Sequence, residues 1–149
     1  TRSRIVTGVQ TCALPILQRD TEAFNAVSAV FAMPKGTDEE KTARSQAMQQ
    51  ALQGCTRTPF EMMELSLEAL RLTEGLVDRS NANAASDLGC AALHLGCAIQ
   101  GAWLNVLINL GSIRDVAFAA QYRTRGQILL DEALPLSRRI YGRILEMVE

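Results

Sequence analysis

The sequence predicts an all-α fold: a helical bundle arranged around one long, buried central helix, with no sheet. Three observations predict it. Apolar residues make up 48% of the chain while aromatics are only 5%, and alanine and leucine dominate, which is helical composition rather than that of a sandwich or barrel. Apolar side chains recur at spacings of three and four. The four prolines and several glycines fall where helices start, stop or bend. At 149 residues the chain fits one domain.

The first helix is expected over residues 17–33, where Phe24, Val27 and Phe31 form one stripe. Asp20, four residues before Phe24, puts a carboxylate on that stripe. Pro34-Lys35-Gly36 ends the helix. Thr37-Asp38-Glu39-Glu40 is a capping box, threonine at N-cap and glutamate at N3. It opens a second helix that runs to about Gln53, with Gly54 as its stop. Thr58-Pro59-Phe60-Glu61 reads as a second cap with proline at N1. The third helix then reaches about Asp78 and buries Met62, Leu65, Ala69, Leu72 and Leu76. One long helix with an irregular joint at 54–58 is the alternative.

After a polar loop at 79–83, a helix from about Ala84 to Leu110 is apolar nearly all round, as expected of a helix enclosed by neighbours. Ala85, Gly89, Cys97 and Gly101 would let another backbone approach. Leu88 to Leu104 is apolar enough to raise a membrane span, but His94, Gln100, Asn105 and Asn109 interrupt it, so no membrane is expected. Ser112-Ile113-Arg114-Asp115 starts the last helix, which Pro135 should kink or split.

Charge excludes some partners. Net charge is −1 and no basic arm exists, so nucleic acid is not expected. Four cysteines without CxxC spacing point to no disulfide framework and to a reducing, cytoplasmic setting. Val6 to Ile16, VTGVQTCALPI, resembles the in-frame translation of a sequencing-library adapter. Residues 1–16 are therefore expected to pack poorly and to carry no function, leaving 17–149 as the native part. That part has 13 basic and 16 acidic residues, a net charge of −3, and three cysteines.

Cys90, His94 and Cys97 share a helix face, but the outer pair is about 10.5 Å apart along the axis. Two thiolates cannot bridge that to one metal, so packed core cysteines are expected and no metal. A carboxylate on an apolar stripe, such as Asp20, must be paired, protonated or facing a cavity, and burial would shift it toward general acid/base work. Asp87 suits the first turn of its helix. Asn81 and Asn83 suit caps. Asn105 and Asn109, one turn apart, need partners, whether a helix end or a heteroaromatic ligand. Lys35, with Lys41 and Arg44 nearby, could meet an anion, though ordinary solvated charge suits the latter two.

Three segments together resemble one family. They are Asp20-Thr21-Glu22-Ala23-Phe24-Asn25-Ala26-Val27 with Met33-Pro34-Lys35, then Ser80-Asn81-Ala82-Asn83-Ala84-Ala85-Ser86-Asp87, then Leu104-Asn105-Val106-Leu107-Ile108-Asn109. In that order and spacing they are similar to the cyclodeaminase/cyclohydrolase family: the cyclodeaminase half of formiminotransferase-cyclodeaminase, and methenyltetrahydrofolate cyclohydrolase. The resemblance covers nearly all of 17–149. It implies an all-α homodimer that takes a tetrahydrofolate derivative as substrate and needs no metal, sometimes partnered by a formiminotransferase. The implied reaction closes 5-formimino-tetrahydrofolate to 5,10-methenyl-tetrahydrofolate with loss of ammonia, or opens the methenyl ring with water. The implied catalytic groups are Asp20, Asp87 and Lys35, and Asn81, Asn83, Asn105 and Asn109 would hold substrate. Family members begin with about two more helices and a segment like Pro-Gly-Gly-Gly-Ser. Its absence here implies an N-terminally truncated chain with an exposed apolar flank, which raises the competing expectation of an inactive dimerisation module. The third reading, a membrane-associated bundle, rests only on the apolar long helix.

Overall fold

The computed structural model describes the course of the chain over residues 4–149, and side chains from Pro15 onward except Ala82. Four long helices alternate in direction: α1 (Arg4–Phe31), α2 (Asp38–Leu76), α3 (Ala85–Leu110) and α4 (Val116–Val148), with one 3₁₀ turn at Ala82–Ala84. No strand occurs among the described residues, so the all-α expectation holds. α2, α3 and α4 pack on one another, and α1 lies on α2. The helix α1 begins ahead of residue 17, and Ile16 is buried. The expected poor packing of residues 1–14 lies outside the described side chains.

The capping box at Thr37 forms as expected. Its hydroxyl accepts from Glu40 N, and the Glu40 carboxylate accepts from Thr37 N and Gly36 N. The second cap does not form. Residues 54–58 continue the helix, and Pro59 lies within a single 39-residue α2. Pro135 likewise lies inside an undivided α4. A proline within a helix removes one N–H and orphans the carbonyl four residues earlier. For Pro59 that carbonyl is Cys55 O, and the Asn109 amide of α3 donates to it at 3.0 Å. The same amide donates to Asn105 O at 2.9 Å. A side chain from another helix thus replaces the bond the proline deleted. The carbonyl is satisfied, and one amide ties α3 to α2 at that point.

Which faces are buried differs from the expected stripes. On α1, Phe24 and Phe31 are exposed and Val30 is buried. On α2 the core takes Met63, Leu67 and Leu70, with Val77 at its C-cap, a face turned from the expected set, while Met62 and Leu72 are exposed. Both faces are apolar, so periodicity alone could not choose. The long helix is not enclosed. α3 buries Gly89, Ala92, Gly96, Ile99, Ala102 and Val106 against α2 and α4, and leaves Leu93, Leu104 and Ile108 in solvent. By length and composition α3 is apolar enough to cross a membrane.

Close approach is real at two of the small residues of α3, only one of them expected. A Cβ at Gly89 would lie 3.1 Å from Ile144, and one at Gly96 would lie 2.7 Å from Ser137 Oγ, which donates to Ala92 O. Cys97 and Gly101 face outward instead. Gly126 of α4 lies directly under the Trp103 ring with no room for a methyl group. Along the far seam, α2 and α4 run parallel and join through Glu64–Arg125, Arg71–Glu132, Glu74–Arg139 and Asp78–Arg143. These pairs are partly exposed, worth about 0.2–1 kcal/mol each.

Two variants check this packing. Gly126→Ala should lower stability by about 1–3 kcal/mol despite the better helix former, because Trp103 must move; chemical denaturation reads it. Asn109→Ala should cost about 1–3 kcal/mol by stranding Cys55 O. In a Pro59→Ala background, where the helix supplies its own N–H, that cost should shrink toward zero, and a double-mutant cycle measures the coupling.

Candidate functional site

The sequence places seven candidate residues, and the fold sorts them to two ends of α3. At one end, Asn109 of α3 meets the half-buried Cys55 of α2, with Asp20 on the α1 side of that thiol. Asn109 reaches the Cys55 carbonyl, and the Asp20 charge acts on the Cys55 thiol. Asn105 stands one turn further back along α3, its amide donating to Gly101 O at 3.3 Å. Asp20 is exposed rather than buried on its stripe, because α1 lies on α2 alone among the described helices.

Lys35 lies further along the same side. It lines a cavity of about 290 Å³ with Lys41, Arg44 and Arg114. Four segments build it: the end of α1 at Val30, the α1–α2 loop, the first turns of α2 and the α3–α4 loop. Arg44 donates to Val30 O at 3.1 Å and so caps the end of α1. Gln49 is a strut: its amide donates to Ser112 O at 3.1 Å and its carbonyl accepts from Arg114 N at 2.7 Å. The Arg114 guanidinium is held by Ser45 Oγ at 2.8 Å. Gln49 and Cys55 are six residues apart on one helix, a rise of about 9 Å along its axis.

Asp87, Asn81 and Asn83 occupy the opposite end. Asp87 is exposed in the first turn of α3, where no side chain caps the helix. Asn81 Oδ1 accepts from Asn83 N at 3.0 Å, a local turn. Helix α3 holds Asp87 about 27 Å from Asn105, so one chain does not unite Asp20 with Asp87. Cys90, His94 and Cys97 are exposed on the outer face of α3, not packed in the core as expected. Among the described residues no group of three or more His, Cys, Asp or Glu side chains is placed to hold a metal.

Sequence reasoning missed Cys55, Ser45, Gln49 and Arg114. A signal existed for one of them: Pro59 within an apolar helical run marks Cys55 as a free acceptor. Nothing local marks the other three, which meet only through the turn into α4.

The Cys55 thiol is pushed above its ordinary range, first by burial and second by the nearby Asp20 carboxylate. The folded thiol thus holds its proton more tightly than the unfolded one. It lowers stability progressively as pH rises above the ordinary thiol range. In a chain with Cys12, Cys90 and Cys97 changed to serine, Asp20→Asn should remove the smaller of the two effects, lower the Cys55 thiol part of the way and speed its alkylation at mildly alkaline pH. An unchanged rate would separate the two groups.

Comparison with known proteins identifies the family. The formiminotransferase-cyclodeaminase family model matches residues 4–127, taking in much of the adapter-like string. Methenyltetrahydrofolate cyclohydrolase of Methylorubrum extorquens is 35% identical over 141 residues, 95% of this chain and 68% of that protein. Formimidoyltransferase-cyclodeaminase of Sus scrofa is 33% identical over 129 residues, 87% of this chain but only 24% of that longer protein. The crystal structure of formiminotetrahydrofolate cyclodeaminase from Thermotoga maritima matches with a TM-score of 0.68 and 26% identity, covering 97% of this chain and 67% of that one. A helical bundle of this order, matched over more than four-fifths of its length, belongs to the formiminotransferase-cyclodeaminase family.

Proposed function

We propose that the chain is a folate enzyme of one-carbon metabolism working on the carbon between N5 and N10 of tetrahydrofolate. The supporting observation is the placing of Asp20 and Asn109 about Cys55, next to a cavity lined by cations. The primary reading is methenyltetrahydrofolate cyclohydrolase, favoured by the relative that is 35% identical over 95% of this chain. Water adds to the methenyl carbon, losing a proton to a carboxylate. The intermediate's hydroxyl then gives up its proton as the C=O forms and the C–N5 bond breaks, N5 takes up a proton from the protonated carboxylic acid, and 10-formyl-tetrahydrofolate leaves with net release of one proton. Cyclodeaminase is the second reading, favoured by the Thermotoga structure. There N10 attacks the formimino carbon and ammonia departs. Both need proton transfer at nitrogen and stabilised charge at one carbon. In both, acid/base side chains carry the chemistry without a metal.

Asp20 is assigned as the acid/base group, Asn105 and Asn109 as orienting amides, and Lys35 as the contact for the anionic end of the substrate. Asp87, with Asn81 and Asn83, enters from a second copy. The outer face of α3 is a seam at alternating three and four spacing: Asp87, Cys90, His94, Cys97, Gly101, Leu104, Ile108. All seven are exposed. Two copies of that seam, antiparallel about Gly96, set Asp87 of each beside Asn105 of the other. The free thiols Cys55, Cys90 and Cys97 accord with a cytoplasmic setting. Residues 1–16 are assigned no role. A partner formiminotransferase is part of the cyclodeaminase reading alone.

Activity is tested by following loss of 5,10-methenyl-tetrahydrofolate and, in parallel, release of ammonia from 5-formimino-tetrahydrofolate. Asp20→Asn and Asp87→Asn should each lower turnover about a hundredfold or more. If a site takes Asp20 from one copy and Asp87 from the other, mixing the two inactive variants should restore about a quarter of the activity through mixed dimers. No restoration would return Asp87 to a purely local role at its helix end.

A further inference from the structure

Among the described side chains there are three cysteines and one histidine, and three of these four stand on one face of α3. Cys90, His94 and Cys97 are all exposed, on the side turned away from α2 and α4. The thiols are free. Thiolate and imidazole are the donors that suit zinc. A single copy does not close a shell with them, because Cys90 and Cys97 stand about 10.5 Å apart along the axis. His94 and Cys97 make the tighter couple, three residues and about 4.5 Å of rise apart on one side of the helix.

The surroundings of that couple point to the source of the other two donors. Helix α3 carries no lysine or arginine, and Asp87 is its only formally charged side chain. On the same face Leu104 and Ile108 are 68% and 74% exposed. Such a face repels neither a cation nor its own image. In the antiparallel pairing about Gly96, Asp87 meets the neutral Asn105 and no like charges oppose. The same operation sets His94 of one copy within one residue's rise, about 1.5 Å along the axis, of Cys97 of the other. Two imidazoles and two thiols then flank one point on the twofold axis, and Cys90 lies about 9 Å along the helix from it.

We propose that His94 and Cys97 of two copies hold one zinc ion at the centre of the α3 seam, a tetrahedral site of two nitrogens and two sulfurs that ties the dimer together. The assignment rests on the α3 pairing proposed above and extends it. Binding displaces the proton of each Cys97 thiol, so the dication and two thiolates give a neutral site and two protons leave to solvent. Four protein donors fill the tetrahedron and leave no open position, so the ion is structural. The folate chemistry proceeds without it.

The test uses the 149-residue chain, stripped with chelator and kept reduced by a phosphine. Native mass spectrometry after zinc addition should show one ion per two chains, and sedimentation a dimer about tenfold tighter or more than in chelator. Cobalt in place of zinc should give thiolate charge-transfer absorption and the visible bands of a tetrahedral ion. Cys97→Ser should abolish the charge-transfer absorption, and His94→Gln should weaken cobalt binding about tenfold or more. Cys90→Ser, on the same face but off the axis, should change neither. One zinc ion per single chain overturns the shared site, as does loss of the absorption in Cys90→Ser while Cys97→Ser keeps it. A dimer that forms equally well in chelator and gives no charge-transfer absorption overturns the site and leaves the seam standing. The seam is read apart from the metal by mixing the Asp20→Asn and Asp87→Asn chains in chelator, where recovered activity upholds the pairing whatever the ion does.

Discussion

One missing hydrogen organises much of this molecule. Pro59 lies near the middle of α2 and cannot donate to Cys55 O. A half-buried unpaired carbonyl there would cost about 1–3 kcal/mol. Asn109 supplies the donor from the neighbouring helix, and in doing so pins α3 at one register and one rotation on α2. That rotation decides which side of α3 meets α2 and α4 and which side is left outside. One turn beyond Asn109, at the entry to α4, Gln49 grips Ser112 and Arg114. The repaired break and the cation-lined cavity thus lie on successive turns of the same α2–α3 junction.

This gives Asn109 two claims on its side chain. Its amide nitrogen is used by backbone carbonyls, leaving the amide oxygen as the atom that could face a ligand. An amide fixed on its donor side presents its acceptor in a defined direction, which is useful for reading a pterin edge. Structure and chemistry need not compete for the residue, because they use different atoms of it.

Much of the fold was legible in the sequence. The Thr37 capping box, the helix ends near Phe31 and Leu110, and the polar break before α3 all follow from local chemistry that no tertiary contact overrode. Burial was harder to read. Phe24, Met62 and Leu72 looked inward because they keep helical spacing, yet the true core of α2 is the adjacent set, Met63, Leu67 and Leu70. Helices apolar on two sides give periodicity no basis for choosing. Pro59 misled for a related reason: a proline after threonine with glutamate following has every local mark of a helix start, and the donor that satisfies the carbonyl it strands, Asn109, comes fifty residues later. Of the site, Asp20, Asn105 and Asn109 were legible as candidates, and of these Asn109 bonds to Cys55 while the Asp20 charge acts on its thiol. Asp87 was legible and is not gathered within one chain, since the length of α3 separates the two ends. Arg114 and Gln49 carry no local signal, and meet only because of the α3–α4 turn.

The most direct measurement is a residue-resolved map of folate binding. With 15N-labelled chain titrated by 5-formyl-tetrahydrofolate, the expected shifts centre on the Asn109 side-chain amide, the Cys55 backbone and Lys35, with Asp87 responding only where the chain is dimeric. Shifts confined to residues 81–87, or spread over the exposed face of α3 while Asn109 stays still, would contradict a site built around the mended break in α2.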